Sequence, residues 1–153
     1  MCGAGAAVHD ARDLERAIVA QVNIVRRSFR LRKLTLSSRL TLAARSHARQ
    51  LALCGYFSHD WPDGAPFGRW IRRFYPVGRA RLWSAGENLL WAAPTVEPRR
   101  AVALWLASPE HRRILLAPGW RELGLGAVQV DNAGGVYGGQ DVVIAAAEFG
   151  VRR

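Results

Sequence analysis

The order of residues predicts a single α+β domain with an antiparallel sheet, on three observations. Two stretches in the first third carry apolar residues at helical spacing. The last third carries two apolar runs joined by Asp131-Asn132-Ala133-Gly134-Gly135, a hairpin-turn composition. Helices therefore come first and strands last, the order expected when helices pack on an antiparallel sheet.

The first helix begins at Asp10 or Asp13, with acids in its first turn and Ile18, Val22, Val25 and Phe29 along one stripe. About 17 residues give roughly 25 Å of helix whose stripe needs a partner. Leu31 to Leu36 reads as a connection. Ser37 or Ser38 then caps a second helix that runs to about Leu53 and ends at Gly55. His47 shares the apolar side of this helix with Leu40, Ala44, Ala48 and Leu51, so it reads as a hydrogen-bonded core histidine, not a ligand.

Pro62-Asp63-Gly64 is a turn: a preset backbone angle, an Asx bond and a permissive glycine in succession. It puts His59 on a structured loop. Phe67 to Tyr75 reads as a short amphipathic helix stopped by Pro76 and Gly78. The next segment, Ser84-Ala85-Gly86-Glu87-Asn88-Leu89-Leu90, sets a carboxylate and an amide beside an apolar run and is bracketed by Trp83 and Trp91. A carboxylate beside buried surface is costly unless neighbours satisfy it. An extended element at the lip of a groove fits that pattern.

Thr95 is a candidate cap for a helix that turns Val102, Trp105 and Leu106 inward, and a new helical turn starts at Ser108-Pro109-Glu110. His111 then falls in the first turn, where the positive end of the helix dipole keeps imidazole neutral. Trp120 to Val130 reads as a strand in which Gly124 and Gly126 admit another backbone, and Asp141 to Phe149 as a continuous apolar strand.

At 153 residues the chain is long enough for one core without staples. Residues 1–12 are expected to be a flexible lead-in and 13–153 the folded domain. A hydrophobic fraction of 50% with 22% charged residues excludes disordered and fibrous classes. The net charge of +10 comes almost wholly from arginine, Lys33 being the only lysine. Such a surface favours anionic partners. The arginines are scattered, however, which argues for solvated faces and against a nucleic-acid groove. Cys2 and Cys54 make no framework and no CxxC pair, and a bridge between them is not expected. No apolar run approaches the length of a membrane span, and Met1 to Val8 lacks the basic flank and length of a signal peptide.

His59, Glu87 and His111 are a plausible set for one divalent ion, zinc first, since imidazole with carboxylate suits borderline metals. Asn88, Ser108, Glu110 and Trp83 would line the same cleft. Whole elements separate the three, so only the fold can bring them together.

In this order, Val22-Asn23-Ile24-Val25-Arg26, Gly55-Tyr56-Phe57-Ser58-His59, Gly86-Glu87-Asn88, Trp105-Leu106-Ala107-Ser108-Pro109-Glu110-His111-Arg112, Gly124-Leu125-Gly126 and Glu148-Phe149-Gly150 resemble the bacterial branch of the CAP superfamily. This comprises the cysteine-rich secretory, antigen 5 and pathogenesis-related 1 proteins, or SCP domains. The resemblance runs from about residue 13 and implies an α-β-α sandwich with a small antiparallel sheet. It also implies export to an extracellular or periplasmic site, and an open cleft with two histidines and two acids that has been linked to divalent cations, with lipid or sterol bound elsewhere. His59, Glu87 and His111 match the motif positions; Gly86, Trp105, Gly124 and Gly126 match structural ones. The second acid is missing, because Ser108 stands where eukaryotic members have glutamate. Glu110 and Glu148 are the two candidates to replace it. The resulting expectation is a monomeric, non-catalytic ligand-binding module for a divalent ion and for a lipid, sterol or anionic ligand. The rivals are a hydrolase using Glu87 as general base and a basic adhesin for acidic envelope polymers.

Overall fold

A computed structural model describes residues 2–3 and 5–153; positions 1 and 4 of the expected lead-in lie outside the described residues. The order of elements is β1 (Ala7–Asp10), α1 (Arg12–Ser28), β2 (Thr35–Leu36), α2 (Ser38–Cys54), α3 (Phe67–Phe74), β3 (Trp83–Ala92), α4 (Pro98–Ala107), α5 (Pro109–Leu115), β4 (Glu122–Ala133), a 3-10 turn (Gly135–Tyr137) and β5 (Gln140–Arg152). The expected α+β class holds: helices cover both faces of a sheet ordered β1-β4-β5-β3. Its β4-β5 and β5-β3 ladders are antiparallel.

The helices start and stop for local reasons. Asp13 and Glu15 occupy the first turn of α1 and Arg26 and Arg27 the last, each complementing the helix dipole. Ser37 caps α2 by accepting from Leu40 N, and Gly55 ends it at φ 62, a left-handed conformation that favours glycine. The helix beginning at Pro98 starts later than Thr95 suggests; Glu97 holds the capping position without a side-chain bond.

Two short strands have no counterpart in the sequence pattern. Ala7–Asp10, inside the segment expected to be flexible, pair with β4 from Ala7↔Asp131 to Asp10↔Val128. Thr35–Leu36, expected to be mere connection, pair in parallel with Glu122 and Leu123. Both are too short to show a period-two pattern. Cys2 and Cys54 also form a disulfide, which overturns the expectation that they would not pair. With β1 docked along β4, the N-terminal segment is carried to the end of α2, a placement that cysteine spacing does not encode.

Alternation along the strands divides the core into two layers. Leu90, Val143, Ala145, Ala147, Phe149, Leu123 and Leu125 join Ile18 and Val22 of α1, Trp105 of α4 and Leu115 of α5. Leu89, Val128, Val130, Ile144 and Ala146 join Ala44, Ala48 and Leu51 of α2. Each fully buried aliphatic side chain stabilises by about 1.5–3 kcal/mol before entropy is counted. The α2 side is packed to backbone contact: a Cβ on Gly124 would lie 2.1 Å from the Leu40 carbonyl carbon, and one on Gly126 2.3 Å from Arg45 N. Trp105 ties α4 to the sheet, its indole N–H donating to Leu89 O at 2.9 Å.

Arg26 departs from the expected solvated helix face. It is fully buried, and its guanidinium donates to Arg32 O, Leu115 O and Ala117 O. It thereby holds the carbonyls that end α5 and tethers that helix to α1.

Candidate functional site

The site forms along β3, which is an edge strand and therefore reachable from both helix layers. Successive side chains of a strand point to opposite faces. Glu87 shares its face with Leu89 and turns to the α2 layer, while Asn88 shares its face with Leu90 and turns to α4 and α5. The Gly86-Glu87-Asn88 segment thus grips both layers at once. Gly86 is required by packing, since a Cβ there would meet the Trp120 ring at 3.0 Å.

Glu87 is 3% exposed, yet its carboxylate is fully engaged. One oxygen lies 2.6 Å from His47 Nδ1 and the other 2.7 Å from His59 Nδ1. Across the β3-β5 ladder Glu87 faces Glu148, and Glu148 in turn faces Gly124 on β4. Glu148 is fully buried, and neither of its oxygens has a hydrogen-bond partner among the described residues. One ligand atom from each of His47, Glu87 and Glu148 lies within 4.8 Å of the others.

His59 is the solvent-facing member, with its side chain 52% exposed. Its loop is fixed by the Trp70 indole, which donates to His59 O at 2.8 Å, and by the Asp63 carboxylate accepting from Ala65 N in the predicted turn. The His47 ring lies 4.6 Å from the Trp70 ring and 5.8 Å from that of Trp61, centroid to centroid.

His111 stands on the far side of the edge strand. Its backbone carbonyl accepts from Asn88 Nδ2 at 2.9 Å, and its ring Nδ1 lies 2.8 Å from Ser108 Oγ. Ser108 occupies the N-cap position of α5 but gives its hydroxyl to this ring instead of capping the helix. The structure therefore brings His59 onto Glu87. It sets His111 near enough for His59 to affect its protonation, but His111 is not among the residues converging on the buried carboxylates. Glu110 is exposed and Trp83 half-buried at the start of β3. Of the two acids considered as replacements, Glu148 is the one beside Glu87.

Burial sets the protonation states. It raises the Glu87 carboxyl to about 8, even though the neighbouring Glu148 carboxyl pulls the other way. Glu148 is pushed well above the ordinary carboxylate range, first by burial and then by the Glu87 charge. Two carboxylates that close, out of water, do not both ionise unless a cation joins them. His47 is pushed down by burial, with the carboxylate of Glu148 and the Asp60 backbone opposing. His111 is pushed down by burial and by His59. The resting group is thus a neutral imidazole beside protonated acid, a donor set of one nitrogen and two carboxyls that suits zinc or another borderline divalent ion once the protons leave.

His47 is the site residue that sequence reasoning assigns to the core. Its helical position is indistinguishable from that of a packed core residue. The signal that could betray it is the need of any buried imidazole for a polar partner, with Glu87 in an apolar run equally in need. Glu148 carries a plainer signal, a lone acid in the continuous apolar run from Val142 to Phe149.

Comparison with known proteins identifies the family and its fold. Residues 19–143 match the model of the CAP, cysteine-rich secretory protein, family. The uncharacterized protein YkwD of Bacillus subtilis is 28% identical over 116 residues, which is 75% of this chain and 42% of that protein, so the chain spans less than half of that relative. An outer surface protein of Borrelia burgdorferi superposes with a TM-score of 0.78 at 19% identity, covering 97% of this chain and 100% of that one. An extracellular protein containing an SCP domain from Bacillus anthracis superposes with a TM-score of 0.70 at 25% identity over 93% of this chain and 41% of its own. With most of its length matched by the family model, the chain belongs to the CAP, cysteine-rich secretory protein, family.

Proposed function

We propose that the protein is an extracytoplasmic binding module whose cleft takes up a divalent cation, zinc first, at Glu87. His47 and Glu148 would complete the buried side of the set and His59 the solvent side, with His111 across the cleft. The observation that carries this reading is the buried acid pair. Glu148 is fully buried against a second carboxyl, an arrangement that keeps protons in place of charge when bare and lets both carboxylates ionise when a dication replaces those protons. A bound ion there would screen the two carboxylates and polarise whatever oxygen ligand entered past His59. The Cys2–Cys54 bridge and the similarity to an extracellular protein of Bacillus anthracis support an oxidising location.

Calorimetric titration of zinc into chelator-treated protein tests the reading. One site should appear in the wild type, vanish in Glu87→Gln and weaken at least tenfold in Glu148→Gln. Equal affinity in all three proteins would overturn it.

A second reading has one observation in its favour: a carboxyl raised to about 8 beside an exposed imidazole is poised for general acid-base chemistry near neutrality. Among the described residues no serine or cysteine hydrogen-bonds to Glu87, so the nucleophile would be water. Turnover of ester, peptide or glycan substrates that disappears in Glu87→Gln would support a hydrolase; turnover unchanged by that substitution, or none, would dismiss it.

A further inference from the structure

The loop that carries His59 borders a second feature, one that the ion site does not use. A cavity of about 300 Å³ is lined there by Tyr56, Trp61, Asp60 and Ser58 and walled on one side by the Cys2–Cys54 bridge. In a chain with 22 lysines and arginines against 12 acids, no basic side chain is among the described residues that line it. Its charged group is the carboxylate of Asp60, which is in no ion pair among the described residues.

Both aromatic residues are held in place. Trp61 N donates to Ala65 O and Gly64 N to Trp61 O, which closes the turn, and the indole packs on the rings of Trp70 and Phe74 at 5.0 and 6.0 Å between centroids. Tyr56 donates its hydroxyl to Asp60 O at 3.0 Å, and its own carbonyl accepts from the Tyr137 hydroxyl at 2.8 Å. The surroundings of Tyr56 are negative: burial pushes its hydroxyl up, and Glu87, Asp60 and Asp63 all push it the same way.

Aromatic faces carry negative charge density and attract cations, so rings beside a free carboxylate select for positive charge. The lining narrows the class further. One carboxylate cannot supply the several oxygen ligands that a hard metal ion needs. A primary ammonium carries N–H donors that each need an acceptor, yet Ser58 Oγ already accepts from Asp60 N and Asp60 O already accepts from Tyr56. A quaternary ammonium brings the charge without the donors. We propose that this cavity binds a small quaternary ammonium compound, its methyl groups against Tyr56 and Trp61 and its charge beside Asp60. The proposal does not rest on the ion at Glu87.

Titration of choline into chelator-treated protein tests it, followed by calorimetry and proton NMR, with neohexyl alcohol as the uncharged isostere and ethanolamine as the primary amine. Choline should bind at least tenfold more tightly than either, and its methyl protons should shift upfield and show cross-relaxation with ring protons of Tyr56 and Trp61. Asp60→Asn, at an exposed position, should weaken choline binding at least tenfold. Phosphocholine, which carries a phosphate towards Asp60, should bind more weakly than choline. Equal binding of neohexyl alcohol or of ethanolamine, an undiminished affinity in Asp60→Asn, methyl contacts with other aromatic rings only, tighter binding of phosphocholine, or no binding of choline would each overturn it.

Discussion

Replacing Glu148 by glutamine should make the protein less sensitive to alkali, and the size of the effect follows from the buried acid pair. In the unfolded chain both carboxyls titrate near 4.5, whereas in the folded protein Glu87 is raised to about 8 and Glu148 well above its ordinary range. A group raised on folding contributes stability below its unfolded value and loses it as pH rises through the folded one. Between about pH 6.5 and 7.5 the folded protein retains one to two protons that the unfolded chain has lost, so stability should fall by roughly 1.4 kcal/mol per pH unit for each. His47 and His111, shifted down, act with the opposite sign and only below their unfolded value of 6.5. Urea unfolding of chelator-treated protein across this window measures the slope. Glu148→Gln keeps the shape and removes one proton, so its slope should be shallower by roughly 1.4 kcal/mol per pH unit. A wild-type stability that is flat or rises with pH, or a slope that the substitution leaves unchanged, would refute the reasoning.

Two further outcomes test the fold around the site. Gly126→Ala drives a methyl to within 2.3 Å of Arg45 N and should cost about 3 kcal/mol or more in urea unfolding, whereas Gly119→Ala, with nothing within 4 Å, should stay within about 0.5 kcal/mol of wild type. Reducing the Cys2–Cys54 bridge frees a loop with a sequence separation of 52 and should lower unfolding free energy by about 2–4 kcal/mol, measured with and without reductant; Cys2→Ser should match the reduced protein.

The large elements are legible in the sequence because each carries its own local signal. The stripe of Ile18 and Val22, the cap at Ser37 and the left-handed glycine at Gly55 define two helices, and Gly124 with Gly126 announces a close backbone approach that α2 supplies. The strands β1 and β2 are not legible, since four and two residues exist as strands only because β4 offers them an edge. The site is legible in part for the same reason. Glu87 declares itself as a charge in an apolar run and His59 as a polar residue on a fixed turn, so each can be read alone. His47 and Glu148 take their meaning from the register that sets Glu148 beside Glu87 and from the helix packing that lowers His47 onto it. His111 is legible as a first-turn histidine, but the diversion of Ser108 Oγ from capping to its ring depends on a rotamer that sequence does not specify.

The most direct test of the ion site is an anomalous-scattering map from crystals of the protein soaked in zinc. The expected result is a peak at the Glu87 carboxylate, in contact with His47 and Glu148 and open to the cleft beside His59. A map with density at the exposed His9–Asp131 pair and none at Glu87 would contradict it.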